Sequence, residues 1–257
     1  TMRPVYALLA AAAALACTPG LAKSGDPAHP DLTGYWGASF KQGEMPADLK
    51  AKLPPNTVIL ADTGVAEFPR GEYGGLIPTA KAKAKADAWK PEDEMTLARV
   101  CMPQSVIYAE QGPFPMAIEQ APGLVVIRYE YFDQVRLIHT DGRGHLPADA
   151  PHTKVGDSIG HWEGQTLVVD TDHLEASTIT NDGLEHSDDV HLVERYRLSA
   201  DGKRLEASQW FSDPTMIENN GARYIVWDKQ PGQYLNPYEC DPTLATEYLG
   251  VKTGSKN

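Results

Sequence analysis

Glu194 lies in the run V-H-L-V-E-R-Y-R-L (190–198), which alternates apolar and polar residues as a strand does. That alternation puts Val190, Leu192, Glu194, Tyr196 and Leu198 on one face, and His191, Val193, Arg195 and Arg197 on the other. A carboxylate on the apolar face is costly unless it is paired, hydrogen-bonded or protonated. Two chemistries fit equally. Desolvation that raises the carboxyl pKa suits a general acid or base; an ion pair, with Arg136 as partner, is structural. His186 stands in the loop D-G-L-E-H-S-D-D-V-H (182–191) that leads into this strand, and is the expected acid/base partner. Arg136 or Tyr129 would then stabilise developing negative charge. His139, Tyr131, Asp170, Tyr196 and Phe211 are the expected ligand-binding residues around that chemistry.

Eight histidines invite a search for metal ligands. The best set is His186-x-Asp188-Asp189-x-His191, and other close pairs are Asp170 with Asp172 and His173, and His139 with His145. None has the H-E-x-x-H or paired-cysteine spacing of a zinc site, so no metal is expected. The chain also lacks G-x-S-x-G, G-x-G-x-x-G and a P-loop, which argues against a serine hydrolase and against nucleotide cofactors; no cofactor is expected.

The elements that must position these residues read as strands. M-A-I-E-Q, L-V-V-I-R-Y-E-Y-F, V-R-L-I-H-T, I-G-H-W, T-L-V-V-D-T, V-H-L-V-E-R-Y-R-L, R-L-E-A-S-Q-W-F and A-R-Y-I-V-W follow one another from residue 116, separated by short turns. In L-V-V-I-R-Y, Val125, Ile127 and Tyr129 share a face. The stretch S-I-G-H-W-E-G-Q-T-L-V-V-D-T (158–171) is read as a hairpin, with Gly164 taking the turn, Trp162 packing and Glu163 in water. Successive short connections make an antiparallel meander, and closure into a barrel removes its edges. Residues 41–95 read as an irregular insert rich in Pro and Gly. Within it T-A-K-A-K-A-K-A-D-A-W-K, between Pro78 and Pro91, predicts a short solvated helix.

The segments at 136–143, 160–171, 186–188 and 193–196 recur in order in a widespread set of exported bacterial proteins, which this chain resembles over residues 98–242. That set also carries a cysteine-proline start like Cys101-Met102-Pro103 and a late cysteine like Cys240, and it brings no activity with it. Gly34-Tyr35-Trp36 resembles the G-x-W signature of lipocalins, which implies a lipocalin-like, calycin-type barrel. The fold expected is therefore all-β: one barrel domain over 32–257, with a short helix and long N-terminal loops.

Residues 1–22, a basic start followed by an alanine- and leucine-rich run, read as a secretory signal, with 23–31 a flexible lead-in. Cys17 leaves a lipid anchor open, although Leu15 sits one place off the usual pattern. Export to the periplasm or medium implies an oxidising compartment, where Cys101 and Cys240 are expected to pair. A net charge of -12 argues against nucleic acid and anionic membranes as partners. The function expected is a cofactor-independent lyase or isomerase acting on a small hydrophobic or phenolic ligand. The rivals are a non-enzymatic carrier of the same ligand and a structural protein with a filled barrel.

Overall fold

The computed structural model describes residues 29–63 and 66–247. The signal-like run, Cys17 and most of the lead-in lie outside the described residues. Among the described residues twelve strands follow in chain order: β1 (Gly34–Ala38), β2 (Thr57–Leu60), β3 (Met116–Ala121), β4 (Leu124–Tyr129), β5 (Val135–His139), β6 (Asp157–Glu163), β7 (Thr166–Asp172), β8 (Ser177–Thr178), β9 (Glu185–His186), β10 (His191–Leu198), β11 (Arg204–Ser212) and β12 (Asn220–Lys229). Nine of them close a barrel in the order β1-β3-β4-β5-β6-β7-β10-β11-β12, because β1 pairs with both β3 and β12. The expected all-β closed barrel is thus the fold. Its strands pair antiparallel except β5 with β6, whose connection crosses over and returns parallel. β2 runs parallel along the far edge of β12, and β8 pairs with β9 as a separate two-strand ribbon.

Trp36 anchors the closure. It is fully buried, its indole N–H donates to the Leu32 carbonyl at 3.0 Å, and the Lys229 ammonium sits 5.0 Å over its ring. The hairpin of β6 and β7 forms as its sequence predicts: Glu163 pairs with Thr166, and Gly164 takes φ +62° between them. Trp162 packs against the core and stacks on His29, while Glu163, still exposed, bonds Arg195 at 2.8 Å.

Short helices among the described residues include α1 (Ala47–Lys50), α2 (Ala80–Ala88), α3 (Pro91–Glu94) and α4 (Val106–Ala109). Alanine and lysine favour α2, and the Thr79 hydroxyl caps it by accepting from the Ala82 N–H at 3.3 Å. Only Ala82 and Ala86, one turn apart, are buried, so its lysines face water as expected. α1 lays Leu49 on the outer wall of β12, with Met45, Ala222, Tyr224 and Val226. Tyr224 belongs to that outer cluster, whereas Arg223, Ile225 and Trp227 alternate with it and join the core on the opposite face. Among the described residues no helix is long and apolar enough to cross a membrane.

Cys101 and Cys240 are bonded, tying the segment before α4 to the C-terminal tail. Closing a loop of this length could contribute up to about 5 kcal/mol in the chain-entropy model. The native effect should be smaller, because the tail beyond β12 can detach without opening the barrel. Reduction is therefore expected to leave the urea midpoint of the barrel nearly unchanged while exposing the tail around Tyr234 to rapid proteolysis. Mass mapping of a timed digest checks this; a collapse of the whole barrel on reduction would contradict it.

Candidate functional site

Inside the barrel the alternation of β4, β5, β7 and β10 delivers Tyr129, Arg136, Thr171, Glu194 and Tyr196 to one place. All are buried. Arg136 donates to Glu194 Oε2 at 2.5 Å, to Glu110 Oε1 at 3.2 Å, to Thr171 Oγ1 at 2.8 Å and to Ser158 Oγ at 3.0 Å. Tyr196 lies 2.8 Å from Glu194 Oε1 and 2.9 Å from Glu110 Oε2, and Tyr129 donates to Glu110. Two carboxyls facing one guanidinium cannot both ionise cheaply. Burial and the Glu194 charge hold the Glu110 carboxyl well above the usual range, while Arg136 and hydrogen bonds, outweighing a desolvation that acts the other way, bring Glu194 below it. The cluster therefore carries one cation, one anion and one retained proton.

Glu194 and Arg136 thus form the ion pair that was one of their two readings. Glu110, the second carboxyl, was not among the expected residues. It follows α4, whose four residues carry no periodic signal, and α4 is held against the barrel interior: Arg223 donates to the Ile107 carbonyl at 3.0 Å, and Val106 and Ile107 are fully buried. Phe211 is buried in the core, its ring filling the space that Gly221 leaves by having no Cβ.

His186 does not join this cluster through a bond. Its Nδ1 donates to the Ser187 carbonyl at 2.8 Å and its Nε2 accepts from the Ser105 hydroxyl at 2.7 Å. Burial lowers its pKa to about 4, so the ring is neutral. A serine hydroxyl on a histidine nitrogen has the form of a nucleophile and its base. Here both side chains are shut off from solvent, and the far nitrogen meets a backbone carbonyl, not a carboxylate. The His186-Asp188-Asp189-His191 set is not brought together: His191 turns to Asp170, and Asp189 to Thr215. His139 and Asp170 face outward, not into the barrel. Their neighbours Ile138, Val169 and Thr171 take the inner positions, while Val135 and Leu137, on the His139 face, are exposed.

The open space lies elsewhere. One cavity of about 510 Å³ is lined by Trp89, Gln104, Tyr108, Tyr131, Thr180 and Asp182 among others. A neighbouring one of about 390 Å³ is lined by Tyr108, Gln111, Phe114, Tyr131, Phe132 and Tyr238, and shares Glu67, Tyr108 and Tyr131 with the first. Neither is lined by Glu194, Arg136, Tyr129 or His186. Of the expected ligand-binding residues, only Tyr131 stands on these walls.

The smaller chamber is built by constraint. Phe132 and Asp133 follow β4 with φ of +54° and +52°, a left-handed region that bulky residues adopt only when surroundings enforce it. The Asp133 carboxylate accepts from the Tyr238 N–H at 3.2 Å, and the Phe132 and Tyr238 rings stack at 4.2 Å. The disulfide two residues beyond Tyr238 fixes that strand of tail in place. Phe114 and Tyr131 complete the group, 5.0 Å apart. Gln111 is 6% exposed, lines this chamber, and among the described residues its Oε1 has no hydrogen-bond partner. A buried acceptor left unpaired costs about 1–3 kcal/mol. Burial holds the Tyr108 and Tyr131 hydroxyls above their ordinary pKa, so both remain protonated at neutral pH. No family model matches this chain, and no curated protein does either.

Proposed function

We propose that this is an exported, non-enzymatic binding protein that carries a small aromatic molecule bearing a hydroxyl or N–H donor in the cleft of Tyr131, Phe132 and Tyr238. The observation that carries this reading is the unpartnered Gln111 acceptor on a wall of converging rings. Aromatic faces favour an aromatic guest by about 0.5–1.5 kcal/mol per well-placed ring beyond simple burial. A phenol or anilide would supply the hydrogen that Gln111 lacks once the amide turns its oxygen, now closed to water, toward the chamber. The saturated ion cluster in the barrel favours a carrier over a lyase or isomerase, since neither of the two cavities described reaches Glu194. Export rests on the signal-like start and on a disulfide that an oxidising compartment sustains.

The test is a calorimetric titration with simple phenols against their methyl ethers and cyclohexanol analogues. Phenols should bind several-fold tighter than the ethers, and Gln111→Leu should erase that preference while leaving ether binding intact. Phe132→Ala should weaken all aromatic ligands about tenfold, near 1.4 kcal/mol. Equal binding of phenol and ether by the unaltered protein, or indifference to Phe132→Ala, would dismiss the cleft. Phenols recovered chemically altered would instead restore the proton-transfer reading.

A further inference from the structure

The barrel's outer wall carries a second constellation, which shares no residue with the aromatic cleft. β6 and β7 pair so that Asp157 stands directly across from Asp172. Like charges in that relation repel. Asp170, two residues before Asp172, projects from the same face. The segment between β5 and β6 brings His145 over all three. Its Nδ1 lies 2.9 Å from Asp157 Oδ2 and 3.0 Å from Asp172 Oδ1, and its Nε2 lies 3.0 Å from Asp170 Oδ1.

A ring nitrogen carries at most one hydrogen, so Nδ1 cannot give both carboxylates a well-aligned bond. A cation among the three atoms can serve all of them. His145 Nδ1, Asp157 and Asp172 offer ligand atoms within 4.8 Å of one another. Ligand atoms held tetrahedrally at about 2.1 Å from an ion are themselves about 3.4 Å apart, so Nδ1, at 2.9 and 3.0 Å from the two oxygens, needs to move back by only about half an ångström to admit one. We propose that His145, Asp157 and Asp172 form a binding site for a divalent cation of the zinc class.

The surroundings are those a metal site needs. A ligating histidine usually donates its other N–H to a carboxylate, which fixes the tautomer and the ring plane. Asp170 does this for His145, and is itself held by His191 Nε2 at 3.0 Å. Asp172 Oδ1 accepts from His173 Nδ1 at 2.6 Å, and Asp157 Oδ2 accepts from the Leu146 N–H at 2.9 Å. An imidazole nitrogen in the set favours zinc and its neighbours over calcium or magnesium, which prefer oxygen alone. Three protein ligands leave a coordination position to solvent. His145 is 21% exposed and Asp172 37%, so an ion can enter from bulk water. The spacing in sequence, 145 to 157 to 172, matches no local motif because strand pairing, not a helix turn, closes it.

The full chain, stripped with chelator and exchanged into metal-free buffer, should take up one Zn²⁺ with micromolar or tighter affinity and gain a few degrees in Tm. Co²⁺ should give a visible d–d band that Zn²⁺ quenches. Asp172→Asn and His145→Ala should each weaken uptake at least tenfold and bleach the Co²⁺ band; His161→Ala, exposed on β6 outside the cluster, should change neither. His145 sits in a loop, so its variant decides the matter if Asp172→Asn folds poorly. Absence of uptake at 100-fold excess Zn²⁺, uptake indifferent to His145→Ala, or Ca²⁺ binding as tight as Zn²⁺ would each overturn the site.

Discussion

Arg136→Met is expected to cost about 3–5 kcal/mol of folding stability, a large share of what a domain commonly possesses. Methionine fills much of the same volume but removes the positive charge of Arg136, the only one bonded to Glu194 and Glu110 among the described residues. The remaining anion would then be buried without a counter-ion, and protonating it to avoid that costs nearly as much at neutral pH. Glu194→Gln should behave differently. Glu110 already faces the same guanidinium at 3.2 Å and holds its proton chiefly because of burial and the Glu194 charge. Once that charge is gone, Glu110 can ionise in its place, and the cluster again holds one cation and one anion. The loss should be nearer 1–2 kcal/mol, the value of the hydrogen bonds rearranged. Urea midpoints at pH 7, with unchanged slopes, measure both variants. Equal losses from the two substitutions would show that the carboxyls do not exchange roles.

The same pair of variants separates stability from function. If the protein is a carrier, Glu194→Gln should bind phenols in the cleft as the unaltered protein does, since neither cavity wall includes the cluster. Loss of binding with folding intact would move the ligand into the barrel and revive the interior as an active site. The cluster is better understood as the device that seats α4. Glu110 follows that helix directly, and its bonds to Tyr129, Tyr196 and Arg136 join a four-residue segment to three strands. Tyr108 on that helix lines both cavities, so a polar lock in the core positions an aromatic wall outside it.

Strand periodicity made the barrel readable, and with it the inward set Val125, Ile127, Tyr129, Leu192, Glu194 and Tyr196. An acidic residue on an apolar face is a signal that survives without any structure, because the cost of burying it demands a partner. Asp170 was harder. Leu167, Val168 and Val169 are all buried, and three apolar residues in a row hide the phase of alternation. His139 was misplaced for a related reason: its face-mates Val135 and Leu137 are apolar yet 48% and 47% exposed. The aromatic cleft was mostly illegible. Phe132 owes its direction to a left-handed turn, and Tyr238 owes its position to a disulfide and to Asp133, more than one hundred residues earlier. The His145 cluster is set by the register of β6 against β7, which no local spacing records.

Between pH 6.5 and pH 4, acid should destabilise the protein through His186. Its folded pKa, about 4, lies below the ordinary 6.5, so the folded state resists a proton that the unfolded chain accepts. The stability contributed is full above pH 6.5 and is lost as pH falls toward 4. One pKa unit corresponds to about 1.4 kcal/mol, which gives a loss of about 2 kcal/mol by pH 5 and about 3 kcal/mol by pH 4. Glu110 acts in the other direction, because its raised pKa favours the folded state below the ordinary carboxyl value and penalises it as pH rises. The two contributions can be parted by substitution. His186→Asn keeps a donor for the Ser187 carbonyl and cannot take up a proton, so it will be less stable at pH 7 but should lose stability more slowly on acidification. Urea midpoints at pH 7, 5.5 and 4.5 should converge between the two proteins. Parallel curves would mean that His186 protonates freely in the folded state, and that its burial against Ser105 is not what sets the acid limit.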